Sequence, residues 1–181
     1  MTATRDTDTG QPGLLTGTFR DRASAERAYD ALISRGYTKD EVNILMSDTT
    51  RRRHFSMDAA RGETELGSKA AEGAVTGAAV GGVAGALAGL LVAAGAVALP
   101  GLGLIIAGPL AGALMGLGAG GATGGLIGAL IGAGIPEERA KVYESDIKGG
   151  GIVMGVQPRS AEDAVYFERE WLSYGAENIH R

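Results

Sequence analysis

Two rows of glycine with a strict spacing of four dominate the middle of the chain. Residues four apart lie on one ridge of an α-helix, so such rows leave a groove in which a second backbone can approach closely. Each interior glycine costs a helix roughly 1 kcal/mol relative to alanine, and we therefore expect these segments to be held by close packing, by lipid or by both. The predicted helix-packing and oligomerisation residues are Gly73, Gly77, Gly81, Gly85 and Gly89 in the first row, and Gly108, Gly112, Gly116, Gly120, Gly124, Gly128 and Gly132 in the second.

The glycine rows lie in a block without charge, because no Asp, Glu, Lys, Arg or His occurs from Gly73 through Pro136. We expect a helix over Glu63–Leu99 and a second helix that begins either at Leu104, with a kink at Pro109, or at Pro109 itself. The apolar part of each helix is long enough to cross a bilayer, which takes about 20 residues. The predicted tip of this helical hairpin is Pro100, Gly101, Leu102 and Gly103.

The chain outside this block is a split repeat of two similar halves. Ser24-Ala25-Glu26 in the first half matches Ser160-Ala161-Glu162 in the second, and Asn43-Ile44 matches Asn178-Ile179. Each half has the composition of a strand, a capped helix that stops at a glycine, and a second strand. The predicted strands are Gly13–Phe19, Val42–Met46, Gly151–Val156 and Glu177–His180, and the predicted helices are Asp21–Gly36 and Ser160–Gly175.

Two such βαβ units predict an α+β fold, a ferredoxin-like sandwich split by the long glycine- and alanine-rich helical hairpin. The predicted organisation is a disordered tail (residues 1–12), the first half (13–48), a linker (49–62), the glycine-zipper hairpin (63–135), and a short amphipathic helix with the second half (136–181).

Alternation along the strands divides the predicted sheet into two faces. One face carries the large apolar residues that would pack on the two helices. The other would be open, and it could pair with another subunit, pack on the hairpin base or bind a small ligand; subunit pairing is the favoured interpretation. The residues of this open face are Thr16, Thr18, Asn43, Leu45, Val153 and Gly155.

The composition excludes several kinds of chemistry. The chain has no cysteine, only two histidines and a net charge of -4, so thiolate sites, metal centres and a nucleic-acid interface are not expected. The acidic residues of the helix at Pro136–Lys148, Asp146 among them, are expected on a solvated face. The glycine pattern at Gly116–Gly121 fits a dinucleotide fingerprint, but such matches arise by chance in a block this rich in glycine. We predict no catalytic residue, no cofactor and no enzymatic activity.

The expected partners are further copies of the chain and a lipid bilayer. The block would be inserted in or attached to the cytoplasmic membrane, with the α/β domain on the cytoplasmic side. The alternative is a soluble self-assembling scaffold or particle in the cytoplasm, in which hairpins from several subunits share one dry core. A third possibility is a module that binds a small ligand on the open sheet face.

Several short motifs resemble a known group of proteins. They are Gly17-Thr18-Phe19, Ala25-Glu26-Arg27-Ala28-Tyr29, Gly36-Tyr37 and Val42-Asn43-Ile44, followed by the glycine–alanine block. This layout is similar to that of small bacterial general-stress proteins, described as heat-induced or low-temperature-induced. The resemblance implies a stress-response role and assigns no catalytic residue.

Overall fold

The structure is a computed structural model that describes residues 13–55, 87, 91, 96–99, 103–116, 126–128, 130, 131 and 135–181. The predicted disordered tail, half of the linker and much of the glycine block lie outside the described residues. The elements below are numbered in chain order.

The first half of the chain forms β1 (Leu15–Phe19), α1 (Arg22–Ser34), a 3-10 turn (Lys39–Glu41) and β2 (Val42–Ser47), and residues 48–55 are helical. The glycine block contributes β3 (Val97–Leu99), β4 (Leu104–Ala107) and α2 (Pro109–Gly116), and residues 87, 91, 126–128, 130 and 131 are also helical. The second half forms α3 (Glu137–Lys148), β5 (Ile152–Val156), α4 (Ala161–Ser173) and β6 (Glu177–His180).

The strands form one six-stranded sheet in the order β3-β4-β2-β5-β1-β6, and every neighbouring pair is antiparallel. The predicted α+β class is therefore confirmed. The connection through α1 joins β1 to β2 across β5, and the connection through α4 joins β5 to β6 across β1. The two halves of the repeat thus interleave their strands in the sheet.

The ends of α1 and α4 follow from local chemistry. The Ser24 backbone N–H donates to Asp21 Oδ1 over 2.9 Å, and the Asp163 N–H donates to Ser160 Oγ over 3.0 Å. Both side chains satisfy backbone donors that a helix start leaves unpaired. Both helices are followed closely by a glycine with positive φ, Gly36 or Gly175.

The first face of the sheet is covered by α1 and α4, as the alternation predicts. Its core contains the inward residues of four strands together with buried side chains of both helices. The largest of these, Trp171, is fully buried, with its ring edge-on to Phe19 at a centroid distance of 5.7 Å. The inward strand residues are Leu15, Phe19, Val42, Ile44, Met46, Ile105, Ala107, Ile152, Met154 and Val156.

The second face is also covered, and the prediction of an open face is wrong. Helix α3 lays Ala140, Tyr143 and Ile147 on this face, where they share a core with Leu45 and Val153. Thr16, Thr18 and Asn43 are buried under this layer. The residues at positions 140, 143 and 147 form an apolar stripe along one side of α3. Burying this stripe against the sheet lowers the free energy relative to leaving it in water, and this drives the packing. A subunit or ligand cannot use this face without displacing α3.

The centre of the predicted helical hairpin is a pair of strands. β3 and β4 pair through Leu99 and Leu104, and β4 pairs with β2 through Ile106 and Leu45. A short apolar run bounded by turn residues fits a buried strand as well as a helix, so periodicity alone did not separate the two. The second helix begins at Pro109, the later of the two predicted starts, because Pro is compatible with the first position of a helix.

The helical segments on either side of these strands lie on opposite faces of the sheet. Leu87 and Leu91 belong to the core beneath α1 and α4, whereas Leu126 and Leu130 belong to the core beneath α3. At the places where they are described, the two glycine-rich segments are therefore separated by the sheet. No helix in the described ranges has the length and apolar character needed to span a membrane.

Candidate functional site

The predicted site was the set of twelve glycines, of which the structure describes four: Gly108, Gly112, Gly116 and Gly128. The others, Gly73, Gly77, Gly81, Gly85, Gly89, Gly120, Gly124 and Gly132, lie outside the described residues. So do three of the tip residues, Pro100, Gly101 and Leu102.

Gly108 does not belong to a helical ridge. It lies in the bend between β4 and α2 with φ of +93°, and a Cβ at this position would overlap the carbonyl oxygen of Val42 and lie 2.9 Å from the carbonyl carbon. L-residues rarely adopt this backbone conformation. The helix-packing role predicted for Gly108 is therefore wrong, and glycine is required here by the close approach of β2.

Gly112 and Gly128 are helical, and in the part of the chain that the structure describes no atom lies within 4 Å of the position that a Cβ would take at either residue. Gly112 is exposed, and Ile131, one turn beyond Gly128, is 43 % exposed. Gly116 is the last residue of α2. Among the described residues, no second backbone lies in the groove that Gly112 and Gly128 leave.

Helix α2 is held in place by a buried amide. Asn43 Oδ1 accepts a hydrogen bond of 2.7 Å from the Leu110 N–H, and the Asn43 amide donates to the Gly155 carbonyl over 3.4 Å. A side-chain acceptor at a helix start satisfies an otherwise unpaired donor. The start of α2 is thereby fixed on β2 and β5.

The remaining tip residue, Gly103, lies directly before β4 with φ of +61°, and its carbonyl accepts from the Asp48 N–H over 2.8 Å. The predicted tip at residues 100–103 is thus the connection between two paired strands. It is not the apex of two long helices, because the residues on both sides of it are hydrogen-bonded into the sheet.

The second face carries a buried polar layer that was not recognised from the sequence. Asp146 was expected in solvent but is 5 % exposed. Its carboxylate accepts from Thr18 over 2.7 Å, from Asn178 over 2.9 Å and from Arg20 over 3.3 Å. A buried carboxylate is stable only when it is paired and hydrogen-bonded, and these three donors meet that need.

A cleft of about 250 Å³ lies beside this layer, where β1, β6 and the start of α3 meet. Its polar side chains are those of Thr16, Arg139, Tyr143, His180 and Arg181. The hydroxyl groups of Thr16 and Tyr143 are hydrogen-bonded to each other, and Arg139 Nη2 lies 2.7 Å from His180 Nδ1. The four side chains converge on one opening.

The electrostatics of the cleft follow from burial and from the Arg139 charge. Burial raises the pKa of the Tyr143 phenol, and the Thr16 hydrogen bond and the charge of Arg139 oppose this shift. Burial lowers the pKa of His180, and the nearby Arg139 charge lowers it further. At neutral pH both rings are therefore uncharged, and Arg139 supplies the positive charge of this group.

Sequence reasoning missed this cleft because its parts are far apart in the chain. His180 was expected on an edge strand, and β6 is an edge strand of the sheet. The stripe of Ala140, Tyr143 and Ile147 could have shown that α3 has a buried face. The approach of Arg139 to His180 depends on tertiary packing and has no local signal.

Comparison with known proteins finds no family model, no curated protein and no solved structure that matches this chain. The resemblance to bacterial general-stress proteins stays a prediction.

Proposed function

We propose that this chain is a non-catalytic stress-response protein that associates with further copies of itself through glycine-rich helical surfaces. The observation that carries the proposal is the groove at Gly112 and Gly128, where no atom of the described residues lies within 4 Å of the position that a Cβ would take. Glycine lowers helix stability, so an exposed glycine in a helix favours a role in close contact with a partner backbone. The stress-response part rests on the motif resemblance.

The folded base of the proposed assembly is a ferredoxin-like sandwich. The order β6-β1-β5-β2 supports this assignment, since it interleaves two βαβ crossovers in an antiparallel sheet. The shared core of α1 and α4 on one face also supports it. In this proposal β3 and β4 extend the sandwich beyond β2, and α2 presents Gly112 at that end of the sheet.

The first candidate is an oligomer that assembles in water, without a membrane. Leu87, Leu91, Leu126 and Leu130 are buried in the two cores of the base, which favours a glycine block folded onto the sheet over one that projects from it. Insertion of the tip at residues 100–103 into a bilayer would break the pairing of β3 with β4, at the cost of unsatisfied backbone groups.

Attachment to the cytoplasmic side of a membrane is the second candidate. The charge-free stretch from 73 to 136 and the exposed side chain of Ile131 favour it. Fractionating cells into membrane and soluble material separates the two candidates. A discrete oligomer purified without detergent and absent from the membrane fraction would exclude the second.

Leucine at position 112 or 128 tests the self-association itself. Gly112→Leu and Gly128→Leu should fill the groove and lower the mass of the assembly measured by light scattering, while circular dichroism stays unchanged. Arg169→Leu is the matched control, because Arg169 is an exposed residue of α4 on the opposite face. An unchanged mass in both glycine variants contradicts the proposed contact.

A further inference from the structure

The cleft at the start of α3 combines two arginines, Arg139 and Arg181, with walls that are largely apolar. Thr16 in β1 pairs with His180 in the edge strand β6, so the edge of the sheet forms one side of the cleft. Arg139 and Tyr143 lie one helical turn apart on α3 and face the same opening. The chain itself therefore builds the cleft from three elements of the base.

Arg139 differs from the other arginine of the cleft in its partner. Arg181 lies 2.6 Å from Glu168, whereas the described part of the chain places no carboxylate within 4.0 Å of the Arg139 guanidinium. Arg139 contacts His180 Nδ1 instead. A guanidinium cannot accept a hydrogen bond, so Nδ1 must be the acceptor and the imidazole proton lies on Nε2.

This contact leaves most of the Arg139 donors free. A guanidinium has five N–H donors in a planar fork, and the imidazole occupies one of them. The neutral His180 ring orients the Arg139 guanidinium without neutralising its charge. A half-buried guanidinium without an anionic partner attracts a carboxylate, which it can bind through two parallel hydrogen bonds.

Apart from Arg181, the remaining lining residues are apolar. Ile135 is 7 % exposed, and the Tyr143 ring is held in place because its hydroxyl is bonded to Thr16. Leu14 and Pro136 complete this side of the cleft. A volume of about 250 Å³ admits a small molecule, and apolar walls with a few directed polar groups are typical of ligand sites.

We propose that this cleft binds a small organic carboxylate, with its carboxylate on the Arg139 guanidinium and its apolar body against Ile135, Pro136 and the Tyr143 ring. The site is separate from the outward Gly112, because the cleft borders β1 and β6 at one end of the sheet, whereas α2 packs against β2 and β4. The proposal does not rest on the proposed self-association.

Benzoate is the probe that tests this site. Titrated into the full chain and followed by the NMR signals of the two imidazoles, it should shift His180 in a saturable way and leave His54 unchanged. Arg139→Gln should weaken benzoate binding at least about tenfold, because it removes the charge and the paired donors. Arg139→Lys should recover part of the affinity, since a lysine keeps the charge but loses the fork.

The controls separate recognition of the anion from loss of the fold. Arg169→Gln makes the same substitution on α4, outside the cleft, and should bind benzoate like the unsubstituted chain. All variants should keep their circular dichroism and thermal midpoint. Benzamide has the same ring without the charge and should not bind.

Three results with benzoate and benzamide would overturn the proposal, and a fourth concerns phosphate. The first three are equal benzoate binding by Arg139→Gln, equal binding of benzamide and benzoate, and the absence of a saturable His180 shift. Inorganic phosphate that binds as tightly as benzoate would also overturn it, because the apolar walls would then contribute nothing.

Discussion

Gly108 and Gly112 are four residues apart on the same predicted ridge, yet their surroundings are opposite. At Gly108 a Cβ would overlap the backbone of β2, and φ is +93°. At Gly112 a Cβ would meet no atom of the described residues within 4 Å, and the residue is an ordinary part of α2. The spacing of four predicts the same role for both positions. In the structure, the fold requires glycine at position 108, whereas Gly112 lies on the surface.

The same division holds for the larger residues of the block. Leu130 is fully buried in the core under α3, and its neighbour Ile131 is 43 % exposed. The charge-free block is thus partly an extension of the base and partly a surface. The base differs from the block in a second way, because it carries the titratable groups and the block from 73 to 136 carries none.

Gly108→Ala tests the first member of the pair and should have the largest effect. The methyl group must move the Val42 carbonyl, and alanine must adopt a left-handed backbone, so we expect a loss of about 3 to 5 kcal/mol in the free energy of unfolding. Urea denaturation followed by circular dichroism measures this loss.

Gly36→Ala is the control for the Gly108 substitution. Gly36 has φ of +83° and no atom within 4 Å of a Cβ, so only the backbone cost of about 1 kcal/mol should remain. Similar losses in the two variants would show that the approach of β2 to Gly108 does not matter.

Leu130→Ala tests whether the glycine block belongs to the base, with the next largest effect. Removing a fully buried leucine should cost about 3 kcal/mol through lost burial and the cavity that remains. The matched variant Ile131→Ala, at an exposed neighbour, should change the unfolding free energy by no more than about 1 kcal/mol. Equal effects in the two variants would mean that this helix does not pack on the sheet.

The helices and strands of the base could be predicted because their signals are local. Asp21 and Ser160 mark helix starts, glycines follow the helix ends, and the alternation in Val42–Met46 and Ile152–Val156 identifies the inward face. The block could not be predicted in the same way. Leu104–Ala107 is a continuous apolar run, and only its pairing with β2 decides that it is a strand.

The candidate site shows the same limit. The spacing of the glycines was visible in the sequence, but whether a glycine faces a neighbouring backbone or open space depends on the strand beside it, as Gly108 and Gly112 demonstrate. The meeting of Arg139 with His180 depends on α3 crossing the second face, which was expected to be open. Long-range packing determines both features.

The base carries titratable groups and the block carries none, so the base determines how stability depends on pH. The expected effect is smaller than those of the substitutions above. Burial, together with the charges of Asp30 and Asp40, raises the pKa of Tyr29 in α1 from 10.0 to about 12. As the pH rises, the phenol therefore ionises in the unfolded chain at a lower pH than in the folded chain. The contribution of Tyr29 to stability is complete below pH 10 and falls above it. Between about pH 9 and about pH 11, ionisation of Tyr29 should lower the free energy of unfolding by about 1 kcal/mol.

Tyr29→Phe removes the phenol that titrates, so the variant should lack the Tyr29 contribution to the pH dependence of stability. Urea midpoints at the two pH values should fall less in the variant than in the unsubstituted chain, by an amount that corresponds to the Tyr29 contribution. Equal pH dependence in both proteins would assign the alkaline loss to other groups of the base.

Alanine at the outward glycines should have the smallest effect and the opposite sign. Gly112→Ala and Gly128→Ala add a methyl group in open space and replace the weaker helix former, so each should raise the unfolding free energy by up to about 1 kcal/mol. The measurement belongs at protein concentrations below the onset of assembly, where only the single chain contributes. One substitution would then destabilise at position 108 and stabilise at position 112, and this reversal within one glycine row is the sharpest test of the division between fold and surface. If alanine destabilises at 112 and 128 as well, those positions are covered in the single chain and cannot form the proposed contact.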